Sequence, residues 1–140
     1  MRKIVIASAF FLLSYGFTYA QGIEFNHDSW GSVVAKAKKE NKLIFLDAYT
    51  SWCGPCKLLQ AKVFPDATLG KYFNENFVST KVDMETGEGP GLAAKYRVRA
   101  YPTLFFIDPN NETVVQQVLG YKSIEQLLSI GQSANAKKNI

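Results

Sequence analysis

The sequence predicts a single α/β domain: a mixed central sheet with helices on both faces and a β-hairpin toward the C-terminus. Three observations predict it. Apolar residues make up 47% of the 140, enough for one packed core in a chain not comfortably long enough for two domains. Two short continuous apolar runs, residues 43–46 and 103–107, read as strands buried on both faces, as when helices sandwich a sheet. Strand and helix patterns alternate along most of the chain, and the last two strands are joined by a tight turn.

The elements follow in order. Residues 1–20 carry a basic head (Arg2, Lys3), an apolar stretch over residues 4–17 and the small-residue ending Thr18-Tyr19-Ala20. These are the parts of a secretory signal peptide. The apolar stretch falls short of the roughly 20 residues a spanning helix needs. The expectation is cleavage after Ala20 and an exported, periplasmic domain over 21–133, with a flexible polar tail over 134–140. The alternative is an uncleaved N-terminal membrane anchor facing the periplasm. A short strand is expected near residues 23–25. Trp30, Val33, Val34 and Ala37 at helical spacing mark an amphipathic helix over 29–40, with Lys36, Lys38 and Lys39 on its solvated face.

After the strand at 43–46, Cys56, Leu59 and Val63 recur at helical spacing until Pro65 stops the helix. Asp66 caps a helix whose inner side is Leu69, Tyr72 and Phe73. Residues 77–83 read as a strand, 87–91 as a glycine-rich loop, and Leu92, Ala93 and Tyr96 as a short helix. The second apolar strand at 103–107 turns through Asp108-Pro109-Asn110-Asn111 into a return strand over 113–119. Ser123-Ile124-Glu125-Gln126 is a capping box opening the last helix.

Composition excludes other classes. There is no Gly-X-Y period, heptad run or longer repeat. Lys plus Arg number 16 against 12 acids, and only 14 against 12 from residue 21 onward. So weak and dispersed an excess argues against nucleic acid as a partner. Two cysteines and one histidine cannot fill a four-ligand zinc site. No flavin, nicotinamide or metal site is visible, so no cofactor is expected.

The chemistry is expected at Cys53-Gly54-Pro55-Cys56. A disulfide closing so short a loop removes little chain entropy and is a poor staple. As a redox pair the spacing makes sense. Cys53 at a helix N-terminus has free N–H groups and the helix dipole to favour a thiolate, the attacking species in disulfide exchange. Cys56, one turn on and on the apolar side, is expected to be more buried and to resolve the mixed disulfide. Pro55 is tolerated in the first turn, where its missing N–H has no helical acceptor. Asp47 ends an apolar strand, where burial raises a carboxyl pKa. It is a candidate to take the Cys56 proton, with Lys81 as a candidate charge partner; the alternative is that it caps the coming turn.

At these residues the chain resembles the thioredoxin family. The likeness covers about residues 29–129 and rests on Trp52-Cys53-Gly54-Pro55-Cys56-Lys57, on Asp47 six residues before Cys53, and on Ala100-Tyr101-Pro102-Thr103 before an apolar strand. It implies the thioredoxin fold, a buried carboxylate at Asp47 and a cis bond at Tyr101–Pro102 lying against the disulfide. It implies a protein-disulfide oxidoreductase whose client surface includes Trp52, Gly54, Pro55, Tyr101 and Pro102. The region 63–78 looks more like exported thioredoxin-like domains such as the C-terminal domain of DsbD-type reductases, and Tyr101 stands where cytosolic thioredoxins are usually aliphatic. The expected partners are proteins bearing disulfides or thiols and a membrane-embedded electron donor, with the protein itself a monomer. Gly54-Pro55 implies a reductase; a disulfide oxidase or isomerase, a non-catalytic binding module and a peroxidase are the rivals.

Overall fold

The computed structural model describes residues 21–138; the expected leader, its cleavage site and the last two residues lie outside it. The elements run β1 (Phe25–Asn26), α1 (Trp30–Glu40), β2 (Leu43–Tyr49), α2 (Gly54–Leu58), a π-helical turn (Leu59–Val63), α3 (Ala67–Asn76), β3 (Phe77–Asp83), α4 (Gly89–Lys95), β4 (Thr103–Asp108), β5 (Thr113–Leu119) and α5 (Ile124–Lys137). The sheet order is β1-β3-β2-β4-β5. Pairing is parallel on the β1, β3, β2 side and antiparallel from β2 through β4 to β5. This is the mixed sheet with a terminal hairpin that the patterning predicts.

Alternation along β2 divides the core into two layers. Leu43 and Phe45 pack with Leu59, Val63, Leu69, Phe73 and Leu127. Ile44, Leu46 and Ala48 face the other way, onto Val33, Val34 and Ala37 of α1 and Leu92 of α4. The first layer is aromatic: the Phe45 ring meets Phe73 edge-on at 4.9 Å and Phe106 at 5.3 Å. Its helices carry the expected caps. The Asp66 carboxylate accepts from Leu69 N–H at 2.8 Å, and the Ser123–Gln126 capping box is complete.

Three features depart from the sequence reading. The helix expected through residue 64 is interrupted: α2 gives way to the π turn, and Phe64 N–H bonds to the Leu59 carbonyl at 2.9 Å. The wider turn lets Leu59, Val63 and Phe64 all point inward. The last helix runs to Lys137, through residues expected to fray. Ala134 is fully buried, and Gly131 lies against Phe73. These small residues let α5 approach closely without the large apolar stripe that marks a buried helix face. Finally, Gly22 and Gly70 meet backbone to backbone, with no room for a Cβ on either. Ile23 N–H bonds to the Phe64 carbonyl at 2.8 Å beside them.

Candidate active site

The sheet ends β2 beneath the start of α2, and the turn Thr50-Ser51-Trp52 delivers Cys53 to the helix N-cap. Cys53 and Cys56 are joined as a disulfide with their Cα atoms 5.3 Å apart. Cys56 N–H donates to the Cys53 sulfur at 3.2 Å. The same donor would stabilise a thiolate there, since helix N-terminal N–H groups favour anions. Both cysteines are buried, at 3% and 0% exposure. Burial therefore separates them less than expected; what distinguishes them is position, with Cys53 at the N-cap and Cys56 inside the first turn. Gly54 and Pro55 are exposed between them.

Asp47 lies inside β2, not at its end. It pairs in register with Lys81 of β3 and Leu104 of β4. Strand alternation puts its side chain on the face of Leu43 and Phe45, the face that Leu59 covers after the active-site helix. It is fully buried, and among the described residues neither carboxyl oxygen has a hydrogen-bond partner. It therefore caps no turn. Burial pushes its pKa up from 3.8 to about 7, and the Lys81 charge pulls only partly back. Lys81 does not form the ion pair expected of it; its ammonium lies 5.6 Å over the Phe25 ring. Burial likewise raises the Tyr49 hydroxyl, with the Asp83 and Asp47 charges adding to it.

The Tyr101–Pro102 bond is cis. The Trp52 ring meets Tyr101 edge-on at 5.9 Å, tying the cysteine loop to the proline loop. Trp52 is itself 64% exposed, and its indole N–H donates to Glu85 at 3.0 Å. The Pro102 carbonyl accepts from Gly120 N–H at 2.8 Å, which brings exposed Leu119 and Tyr121 to the same rim. The sequence reading missed Glu85, Leu119 and Tyr121, because no spacing links them to the cysteines. It also missed Thr50, whose buried hydroxyl has no partner among the described residues. His27 is exposed. Trp30, on the apolar side of the helix expected over 29–40, is only half-buried and donates its indole N–H to Glu112 at 2.9 Å.

Comparison with known proteins agrees with this geometry. The Thioredoxin family profile matches residues 21–132. Thioredoxin H4 of Arabidopsis thaliana is 37% identical over 94 residues, 67% of this chain and 73% of that protein. A candidate disulphide-isomerase from Bacteroides thetaiotaomicron, solved in solution, is 43% identical with a TM-score of 0.72, covering 83% of this chain and 95% of that one. The oxidised DsbD C-terminal domain of Neisseria meningitidis shares the fold at 20% identity and a TM-score of 0.63, over 74% and 90% of the two chains. A paired Cys-X-X-Cys at a helix start, on this sheet and within this profile, means that the chain belongs to the thioredoxin family and is a thiol–disulfide oxidoreductase.

Proposed function

We propose that this oxidoreductase works as a reductase of exported proteins. The observation that carries the mechanism is the unpartnered Asp47 carboxyl, buried on the face covered by the active-site helix and titrating near neutrality. In the forward direction the Cys53 thiolate attacks a client disulfide, forming a mixed disulfide and releasing one client thiolate. Asp47 accepts the Cys56 proton, Cys56 attacks the Cys53 sulfur, and the second client sulfur leaves as a thiolate. Two electrons pass to the client, and the Cys53–Cys56 disulfide remains. A membrane-embedded thiol carrier returns the pair to the reduced state. Trp52, Gly54, Pro55, Tyr101 and Pro102 form the surface that receives the client, which lies along the Tyr101 backbone as an added strand.

The direction rests on Gly54-Pro55. No histidine lies between the cysteines to stabilise the thiolate, so the disulfide is relatively favoured and the couple is the stronger reductant. Equilibration with glutathione buffers, read by alkylation mass shift, is expected to give a potential near the thioredoxin value of about −270 mV. A potential above about −180 mV would overturn the assignment in favour of an oxidase or isomerase. The basic head and apolar stretch of residues 1–20 support export with cleavage after Ala20. Protein recovered from the periplasm is then expected to begin at Gln21; recovery of the uncleaved chain with the membrane fraction would favour the anchor instead.

A further inference from the structure

One corner of the molecule carries charge that the fold does not use. Arg97 and Arg99 are both exposed, and neither joins a salt bridge or a side-chain hydrogen bond among the described residues. Arg97 also sits in the left-handed region, with φ +53°. That conformation at a helix end suits glycine or asparagine, so an arginine there gains nothing locally.

The two arginines border a groove. Two adjoining cavities of about 170 and 350 Å³ share Tyr96 and Arg97. The first reaches Arg99, Ala100 and Leu119; the second reaches Val114. Leu119 stands opposite Thr103 and Val114 opposite Ile107, so both lie on the α1 and α4 side of the sheet. The short α4 leaves this end open, with Leu119 58% and Val114 38% exposed. Among the described residues the only acid lining the groove, Glu112, is held by Lys95 and the Trp30 indole. From Leu119 to Val114 the floor is about 15 Å long, room for roughly five extended residues. Its upper end, at Ala100 and Thr103, directly flanks Tyr101 and Pro102.

We infer that this groove selects clients, binding an extended client segment that carries carboxylate side chains beside its reacting cysteine. The inference rests on the oxidoreductase reading of the site. The unused positive charge supplies the complementarity, Leu119 and Val114 supply apolar contact, and the groove continues the surface at Tyr101 and Pro102. Exposed charge pairs contribute little singly and weaken in salt. The effect is therefore a preference among clients that fades with ionic strength.

The test uses two cyclic disulfide peptides that are identical except for Glu or Lys beside one cysteine. The reduced protein is expected to reduce the Glu peptide about fivefold faster than the Lys peptide at about 0.02 M salt, with the ratio near one at about 0.5 M. The Arg97→Asn/Arg99→Gln variant, whose Asn suits the left-handed backbone, is expected to bring the low-salt ratio near one. An unchanged ratio in the variant, or no preference in the native protein, overturns the inference. Reduction of neutral 2-hydroxyethyl disulfide separates the causes: activity there without Glu preference removes the groove alone, and no activity removes the exchange reading itself. Independently of exchange activity, a cysteine-free Glu peptide titrated onto the oxidised protein is expected to shift the NMR signals of Arg97, Arg99, Leu119 and Val114. Shifts absent there, or confined to other residues, overturn the groove.

Discussion

Ionisation of Asp47 makes folding depend on pH, and the sign follows from its pKa. The carboxyl titrates near 3.8 when exposed and near 7 when folded. Between those values the folded chain holds a proton that the unfolded chain has released, so stability falls as pH rises. The loss is about 1.4 kcal/mol per pH unit, roughly 4 kcal/mol in all, and is complete above about pH 7. Urea unfolding of the oxidised Asp47→Ala variant is expected to gain on the native protein by that amount between about pH 4 and pH 8. Parallel pH curves for the two proteins would show that Asp47 does not titrate as described. Asp47→Asn is expected to slow release of client from the mixed disulfide and to abolish the inflection near pH 7 in that rate, measured by quenched-flow alkylation. Cys56→Ser is expected to accumulate mixed disulfides through Cys53, and Cys53→Ser few, on non-reducing gels. Faster alkylation of Cys56 than of Cys53 at neutral pH would reverse their roles. The Cys53–Cys56 pairing and the burial of Asp47 were legible because the motif that carries them spans ten residues or fewer. Glu85 was not, since only the fold brings it to Trp52.

At the scale of elements, local signals were legible and tertiary ones were not. Strands β3 and β5 match the sequence reading, and so does the start of α5, because turn chemistry and caps act within a few residues. The Ser123 hydroxyl accepts from Gln126 N–H at 3.2 Å while the Gln126 side chain accepts from Ser123 N–H at 3.0 Å. Ser123→Ala is therefore expected to cost about 1 kcal/mol by denaturant titration; no change would mean that tertiary contacts hold the helix start. The end of α5 was hidden, because its inward residues are Gly131 and Ala134 and its outward ones polar. Truncation after residue 133 removes the buried Ala134 and the Asn135 amide that donates to Asn76 at 3.1 Å. The expected loss is about 1–2 kcal/mol; a truncated chain as stable as the full one would return those residues to the status of a tail. The π turn was equally hidden, since its signal lies in Leu59, Val63 and Phe64 having to face one core at once.

Over the whole molecule, stability is expected to be graded from the centre of the sheet outward. β2 is paired on both sides and buried from Leu43 to Ala48, whereas β1 spans two residues and β5 is an edge with an exposed flank. Amide exchange is expected to be slowest in β2 and its partners β3 and β4, and fastest in β1 and the outer amides of β5. Uniform protection across all five strands would indicate a single opening unit. Under the graded outcome Asp47 lies within the most protected strand, so its proton is reached through local motion of the α2 region, not through unfolding. Sheet membership was legible from the two apolar strands, but the order of strands was not, because periodicity says nothing about which strands pair.

The contact between Gly22 and Gly70 bears on the cleavage after Ala20 proposed above. A peptidase cutting after Ala20 must hold the residues on either side of that bond in an extended form. In the folded domain the residues just downstream are already committed: Gly22 is pressed against α3, and Ile23 is buried and bonded to Phe64. Folding and the proposed cleavage would therefore compete for the same few residues. Processing would have to run ahead of folding, or wait for this short segment to peel away from α3. A bulkier residue at position 22 or 70 would hold the segment off the domain and keep the cut accessible for longer, at a cost in the stability of the finished protein.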